Sequence, residues 1–192
     1  MERKRMSVIQ SAEIRAQLSQ RRGTNSGKII SIDQGENIAS DQRKIGRRVV
    51  FTNGCFDLLH VGHVASLSEA ASWGDLLIVG MNTDQSIRRL KGEARPVICQ
   101  SDRAMMLAAL ECVDYVVPFD ENTPLQLLHA IRPDVLAKGG SYSVDQIVGH
   151  EVVESYGGVV AVMGLLEGWS TTDLLQRIQQ STGTPLQITK AA

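Results

Sequence analysis

The sequence predicts a doubly wound α/β domain on a five-stranded parallel sheet, and three observations predict it. Short β-branched and aliphatic runs recur from Arg48 onward. Within each run the apolar residues are continuous, without the polar alternation of a strand that has one wet face, so both sheet faces are covered. Between the runs lie stretches with helical apolar spacing and helix-start residues, the crossovers that parallel strands require.

In chain order, Val49-Val50-Phe51-Thr52 is the first strand, followed by a helix over about residues 63–72. Leu76-Leu77-Ile78-Val79-Gly80 is the second strand, and residues 89–97 read as a polar loop after it, stiffened by Pro96. Ser101 is the expected N-cap of the next helix, which places Met105, Met106, Leu107 and Leu110 on apolar positions. Tyr115-Val116-Val117-Pro118 is the third strand, and Thr123 and Pro124 then supply an N-cap and a first helical residue. Asp134-Val135-Leu136-Ala137 and Val159-Val160-Ala161-Val162-Met163 are the fourth and fifth strands, and Ser170-Thr171-Thr172 opens a last helix.

Composition narrows the classes. A chain of 192 residues, 43% hydrophobic and 21% charged, buries a core without staples and is neither disordered nor fibrous. No apolar run approaches the ~20 residues of a membrane span. The basic start lacks the apolar region of a secretory signal. Cys55, Cys99 and Cys112 cannot all pair and form no CxxC, so they read as small buried hydrophobes in a reducing cytoplasm. Residues 1–48 carry eleven Lys/Arg against five Asp/Glu, and the remainder nine against sixteen. No aromatic residue interleaves the early cations before Phe51, so the basic segment reads as a solvated arm rather than a nucleic-acid platform. Residues 1–27 are expected to be a flexible extension, 28–182 the domain and 183–192 a tail.

In such sheets ligands bind beyond the carboxyl ends of the strands. The first strand is followed by Asn53-Gly54-Cys55-Phe56-Asp57-Leu58-Leu59-His60-Val61-Gly62-His63. Gly54 lets backbone approach a ligand, Gly62 leaves room beside two imidazoles, and a helix start offers free N–H groups to an anion. That combination suits a polyphosphate whose charge grows during reaction. Two other readings stay open at this point. The histidines could ligate a metal, although no third ligand has suitable spacing. They could also be satisfied polar groups at a helix start.

This segment resembles the signature of the cytidylyltransferase-like nucleotidyltransferases, which have a Rossmann-like fold. Three further motifs resemble one branch, the D-glycero-β-D-manno-heptose 1-phosphate adenylyltransferases. They are Arg89-Leu90-Lys91-Gly92-Glu93-Ala94-Arg95-Pro96-Val97, Lys138-Gly139-Gly140-Ser141-Tyr142 and Gly168-Trp169-Ser170-Thr171-Thr172. The resemblance covers about residues 28–180 and implies a reaction. ATP and the heptose 1-phosphate give ADP-heptose and pyrophosphate, for lipopolysaccharide core or another surface glycan.

It further implies His60 and His63 as the catalytic pair. The implied nucleotide-binding set adds Thr52, Asn53, Gly54, Cys55, Phe56, Lys138, Gly139, Gly140, Ser170, Thr171 and Thr172. Asp57, Asn82, Asp84, Lys91, Arg95 and Arg103 would bind the sugar phosphate, with Arg103 on its phosphate. Gly139 and Gly140 could let backbone lie along the base, or simply make a tight turn. Ser170, Thr171 and Thr172 could contact phosphates, or simply cap a helix. Mg²⁺ is expected on ATP phosphates and water, without a protein cage. A cytoplasmic homodimer of the stand-alone form, supplied by a separate heptose kinase, completes the expectation.

Two departures follow, one from the family's usual first helix and one from the wider superfamily's arginine in the last. The helix expected before the first strand falls on residues 32–45, where Gly35 predicts a short or frayed element. The last helix reads Asp173-Leu174-Leu175 after its threonines, with Arg177 as the nearest cation. Two other functions remain: cytidylyl transfer to glycerol 3-phosphate or another polyol phosphate, and a non-catalytic nucleotide-binding module. Pyrophosphate release separates the enzymes from the module.

Overall fold

A computed structural model describes residues 25–140, 143–164 and 166–181. After a 3₁₀ turn at Asn25–Lys28, the elements are α1 Ile32–Lys44, β1 Val49–Gly54, α2 Val61–Ala71, β2 Leu76–Asn82, α3 Asp84–Lys91 and α4 Gln100–Ala108. There follow β3 Tyr115–Phe119, α5 Leu125–Ile131, β4 Val135–Gly139, a 3₁₀ turn at Val144–Gln146, α6 His150–Ser155, β5 Val159–Met163 and α7 Thr171–Ser181. The five strands form one parallel sheet of order β3-β2-β1-β4-β5. The chain winds outward from β1 to β3, then returns to β4 on the other side. The order therefore reverses between β1 and β4, where a ligand crevice is expected.

Continuous apolar strands bury both faces. Val50, Leu77, Val79 and Val116 pack with Leu67 of α2 and Leu107 of α4. On the other face Val49, Phe51, Ile78, Val117 and Leu136 pack with Leu127 and Ile131 of α5. At the amino ends of the strands, aspartates finish the ladder: Arg48, Leu77 and Val49 N–H donate to Asp75, Asp114 and Asp134 at 2.7–2.8 Å.

The predicted fold class and all five strands are present, and the differences are local. β1 and β2 run two residues past their predicted ends and β4 two past its own, carrying their last residues to the ligand end of the sheet. Residues 84–91 are helical, so Lys91 ends α3 instead of lying in a loop; Thr83 caps it by accepting from Ser86 N–H at 3.1 Å. α4 starts at Gln100 with Cys99 at the cap position, so Ser101 lies inside the helix. Pro124 occupies the cap position of α5, one place later than expected. α1 spans 13 residues with a Ser31–Gln34 capping box and is neither short nor frayed. Gly35 is buried there: a Cβ would sit 3.4 Å from Val117 Cγ2, so the glycine brings α1 close to the sheet. Short α6 escaped prediction. Cys99 is exposed, and Cys55 and Cys112 are half-buried, so none is a fully buried hydrophobe.

Candidate active site

The site grows from the end of β1. Phe56 and Leu58 adopt φ of 48° and 50°, the left-handed region, so the chain turns sharply before entering α2. His60 is the N-cap of α2, and its Nδ1 accepts the His63 N–H at 3.4 Å. An imidazole accepting at Nδ1 carries its proton on Nε2 when neutral. His60 Nε2 and His63 Nδ1 are both buried and have no hydrogen-bond partner. The two rings stack with centroids 3.8 Å apart. Gly62 makes this possible, since a Cβ there would lie 2.9 Å from His60 Cε1 and 3.0 Å from the Trp169 carbonyl oxygen.

Both rings line a cavity of about 480 Å³ at the carboxyl ends of β1 and β4. Burial, and then neighbouring His60, push His63 down from 6.5 to about 4, against the opposing pull of Asp57. His60 is lowered by burial, partly offset by Asp173. The free protein therefore holds neutral rings with unfilled polar atoms at a helix N-terminus, the setting for an anion. No group of three or more His, Cys, Asp or Glu among the described residues could hold a metal, which leaves the pair without the partners of a metal centre.

Lys91, Arg95 and Lys138 line the same cavity. Burial lowers the Lys138 ammonium, whose Nζ donates to Asn53 Oδ1 at 3.2 Å and Asn53 O at 3.4 Å. Thr52, Asn53, Gly54, Cys55 and Phe56 also line it, as do Gly139, Ser170, Thr171 and Thr172. Burial pushes the Cys55 thiol up, so it stays protonated at neutral pH. Gly140 is outside the lining and turns at φ 137°. Ser141 and Tyr142 lie outside the described residues, as do residues 1–24 and the 183–192 tail. Ser170 Oγ accepts the Asp173 N–H at 3.0 Å and donates to its carboxylate at 2.7 Å, so it caps α7. Thr171 Oγ1 donates to the Asp57 carbonyl at 2.8 Å. Arg177 stacks on Trp169, 5.2 Å from the ring centroid, and donates to the Gly168 carbonyl.

The residues expected on the sugar phosphate divide. Lys91 and Arg95 are in the cavity; Asp57 is there but engaged. Its carboxylate accepts Arg95 Nε at 2.6 Å, Val97 N–H at 2.9 Å and Ile98 N–H at 3.0 Å. Burial alone would raise this carboxyl, but Ile98, Val97 and Arg95 together hold it low. Arg103 is fully buried: it donates to the carbonyls of Cys55 at 2.6 Å, Asn82 at 2.9 Å and Ile98 at 3.0 Å, and to Asp84 at 2.7 Å. Asn82 is buried against Ser86 Oγ at 3.0 Å. Arg103, Asp84 and Asn82 do not line the histidine cavity; Asn82 lines a second one of about 320 Å³.

Sequence reasoning assigned no role to Ser66, Met163, Leu166 or Trp169, all of which line the first cavity. Ser66 was detectable, because it lies one helical turn beyond His63. Asn122, Gln146 and Val148 of the second cavity come from separate loops and left no sequence signal.

A Rossmann-like sheet carrying paired helix-start histidines at its reversal point defines a nucleotidyltransferase-type domain. Residues 51–177 match the cytidylyltransferase-like family, and the chain belongs to it. It is 52% identical over 177 residues to the bifunctional protein HldE of Geobacter sulfurreducens, and 58% over 137 residues to that of Syntrophotalea carbinolica. These alignments cover 92% and 71% of this chain but 36% and 28% of the relatives, so the chain spans about a third of their length. Among solved structures, the lipopolysaccharide core biosynthesis protein from Thermoplasma volcanium matches with TM-score 0.51 and 25% identity, covering 63% of this chain and 98% of that one. Pantoate-beta-alanine ligase from Francisella tularensis shares the fold, with TM-score 0.54, 17% identity and 79% and 76% coverage.

Proposed function

We propose that this chain transfers AMP from ATP to D-glycero-β-D-manno-heptose 1-phosphate, releasing pyrophosphate and forming ADP-heptose for lipopolysaccharide core or a related glycan. The carrying observation is the stacked His60–His63 pair, whose buried orphan nitrogens line a cation-bearing cavity. Identity to HldE proteins, and likeness to a lipopolysaccharide core biosynthesis protein, support the heptose branch.

A sugar phosphate is already anionic at neutral pH, so no general base is required. One of its oxygens attacks the α-phosphorus while the bond to the β-phosphate oxygen breaks, and pyrophosphate leaves with the electron pair. His60 Nε2–H donates to the triphosphate, and phosphate charge draws a proton onto His63, making it a second donor as negative charge builds. The α2 N-terminus adds its dipole. Lys91 and Arg95 hold further phosphate oxygens. Mg²⁺, held by triphosphate oxygens and water, would supply neutralising charge for the leaving pyrophosphate. Asp57, the one carboxylate lining the cavity among the described residues, is occupied by Arg95 and two backbone N–H groups, which fits a cation carried on substrate oxygens and water. The reading also places the chain in the cytoplasm as a homodimer, downstream of a heptose kinase.

Mg²⁺-dependent pyrophosphate release is the test, with ATP or CTP paired with the heptose 1-phosphate or glycerol 3-phosphate. Release with ATP and the heptose alone is expected. Release with CTP and glycerol 3-phosphate would reassign both pockets, and ATP binding without release from any pair would leave a binding module.

A further inference from the structure

The histidine cavity and the second cavity meet along Asn53, Gly54, Cys55 and Lys138, the four residues that line both. Lys138 is the only charged side chain of the four. It stands at the carboxyl end of β4, beside β1, where the sheet order reverses. Asn53 aims its ammonium from β1 with two long contacts of 3.2 and 3.4 Å. An ammonium has three donors, so capacity remains for anionic oxygens.

The two cavities differ in chemistry. The first holds the paired histidines, Lys91, Arg95 and the start of α7. Among the described residues the second has no charged lining residue besides Lys138; its walls are mainly amides and apolar groups, including Leu90, Ile147 and Val148. Its amides are oriented: Asn122 Oδ1 accepts Arg89 Nε–H at 3.1 Å, and Gln146 Oε1 accepts Ser143 N–H at 3.2 Å. Asn122 and Gln146 each keep an NH₂ to donate, and Asn82, whose NH₂ goes to Ser86 Oγ, keeps an oxygen to accept. A wall of neutral donors and acceptors on an apolar floor suits the hydroxyls of a polyol better than a triphosphate.

We propose that the second cavity takes the polyhydroxylated body of the acceptor, and that Lys138 is a catalytic residue bridging its attacking phosphate oxygen and the α-phosphate. This assignment rests on the nucleotidyl-transfer reading and moves Lys138 from nucleotide binding to the reacting junction. Two anions repel as they approach for in-line attack, and a cation beside both offsets that repulsion. Lys138 supplies one where the cavities join, while the new phosphorus–oxygen bond forms and the α–β bridging bond breaks toward pyrophosphate.

Steady-state kinetics on the full chain, with calorimetric binding of a non-hydrolysable ATP analogue, test it. Lys138→Met is expected to lower kcat roughly 10²-fold, with analogue affinity within about threefold of wild type. Lys138→Arg restores the charge and recovers part of the loss. Gln146→Ala, in the second cavity, raises the acceptor KM up to about tenfold, the net value of one hydrogen bond, and leaves the ATP KM unchanged. Full-rate turnover by Lys138→Met, or a loss confined to analogue affinity, overturns the bridging role. A Gln146→Ala effect on ATP instead of acceptor overturns the cavity assignment. Wild-type pyrophosphate release is the control: its absence overturns the underlying reaction together with the proposal, whereas its presence beside an unaffected variant overturns Lys138 alone.

Discussion

His60 and His63 are three residues apart, and the α2 start turns that spacing into a stacked pair. Each ring has one buried nitrogen without a partner, an arrangement tolerated where a ligand supplies the missing acceptor. His63→Ala is expected to fold and to lose about 10²–10³ in turnover, the value of one preorganised donor; pyrophosphate release beside a thermal melt measures both. The same ring sets a pH dependence. An unfolded chain protonates it below about pH 6.5, and the folded one only below about pH 4. Stability therefore falls as pH drops through that window, because the unfolded state binds the extra proton there. Urea midpoints at pH 7 and 4.5 should show the loss, at most about 3 kcal/mol for one such group, and His63→Gln should reduce it.

At the scale of elements, Asp57 and Arg103 organise the segment between α3 and α4. Ile98 is held at both ends: its N–H donates to Asp57 and its carbonyl accepts from Arg103. Arg95, on the same segment, faces the cavity while paired to Asp57. Arg103 also ties Cys55 after β1 to Asn82 ending β2, so one buried guanidinium joins the strand ends on which the site stands. Arg103→Met strips three carbonyls of a donor and Asp84 of its cation. Breaking a buried pair by removing one partner costs about 3–5 kcal/mol, and a shift of that size in urea unfolding is expected. Arg103→Lys should recover only part, since one ammonium cannot serve four acceptors in a planar fork. Neither role was legible from the motifs, which presented Arg103 as a phosphate-contacting cation at the start of a helix. Its direction inward depends on backbone carbonyls brought together from three segments.

For the whole molecule, the reversal between β1 and β4 puts two cavities side by side at one edge of the sheet. A nucleotide that fits the first should stabilise the fold by mass action. ATP at about 100 times its Kd is expected to add about 2.7 kcal/mol, read as a rise in Tm, with CTP at equal concentration giving less. An equal or larger CTP effect would reassign the base.

The sequence by itself determined the architecture, and it pointed to the cavity at the strand ends and to the histidine pair that lines it. Unbroken apolar strands dictate a sheet covered on both faces, and a histidine pair after the first strand of such a sheet lies at its ligand edge. The starts of α2, α4, α5 and α7 were legible within two residues, whereas that of α3, capped by Thr83, was not. Gly35 misled because propensity sees only backbone freedom, whereas the packed structure uses the missing side chain to seat α1 against Val117. Tertiary structure alone decided which charges face the cavity and which are spent inside. Asp57 and Arg103 turn inward because backbone N–H and carbonyl groups from distant segments converge on them, and hydrogen bonds to buried charges outweigh exposure to solvent. It also made the second cavity from Asn122, Gln146 and Lys138, residues of separate segments, since adjacency across a parallel sheet is set by strand order.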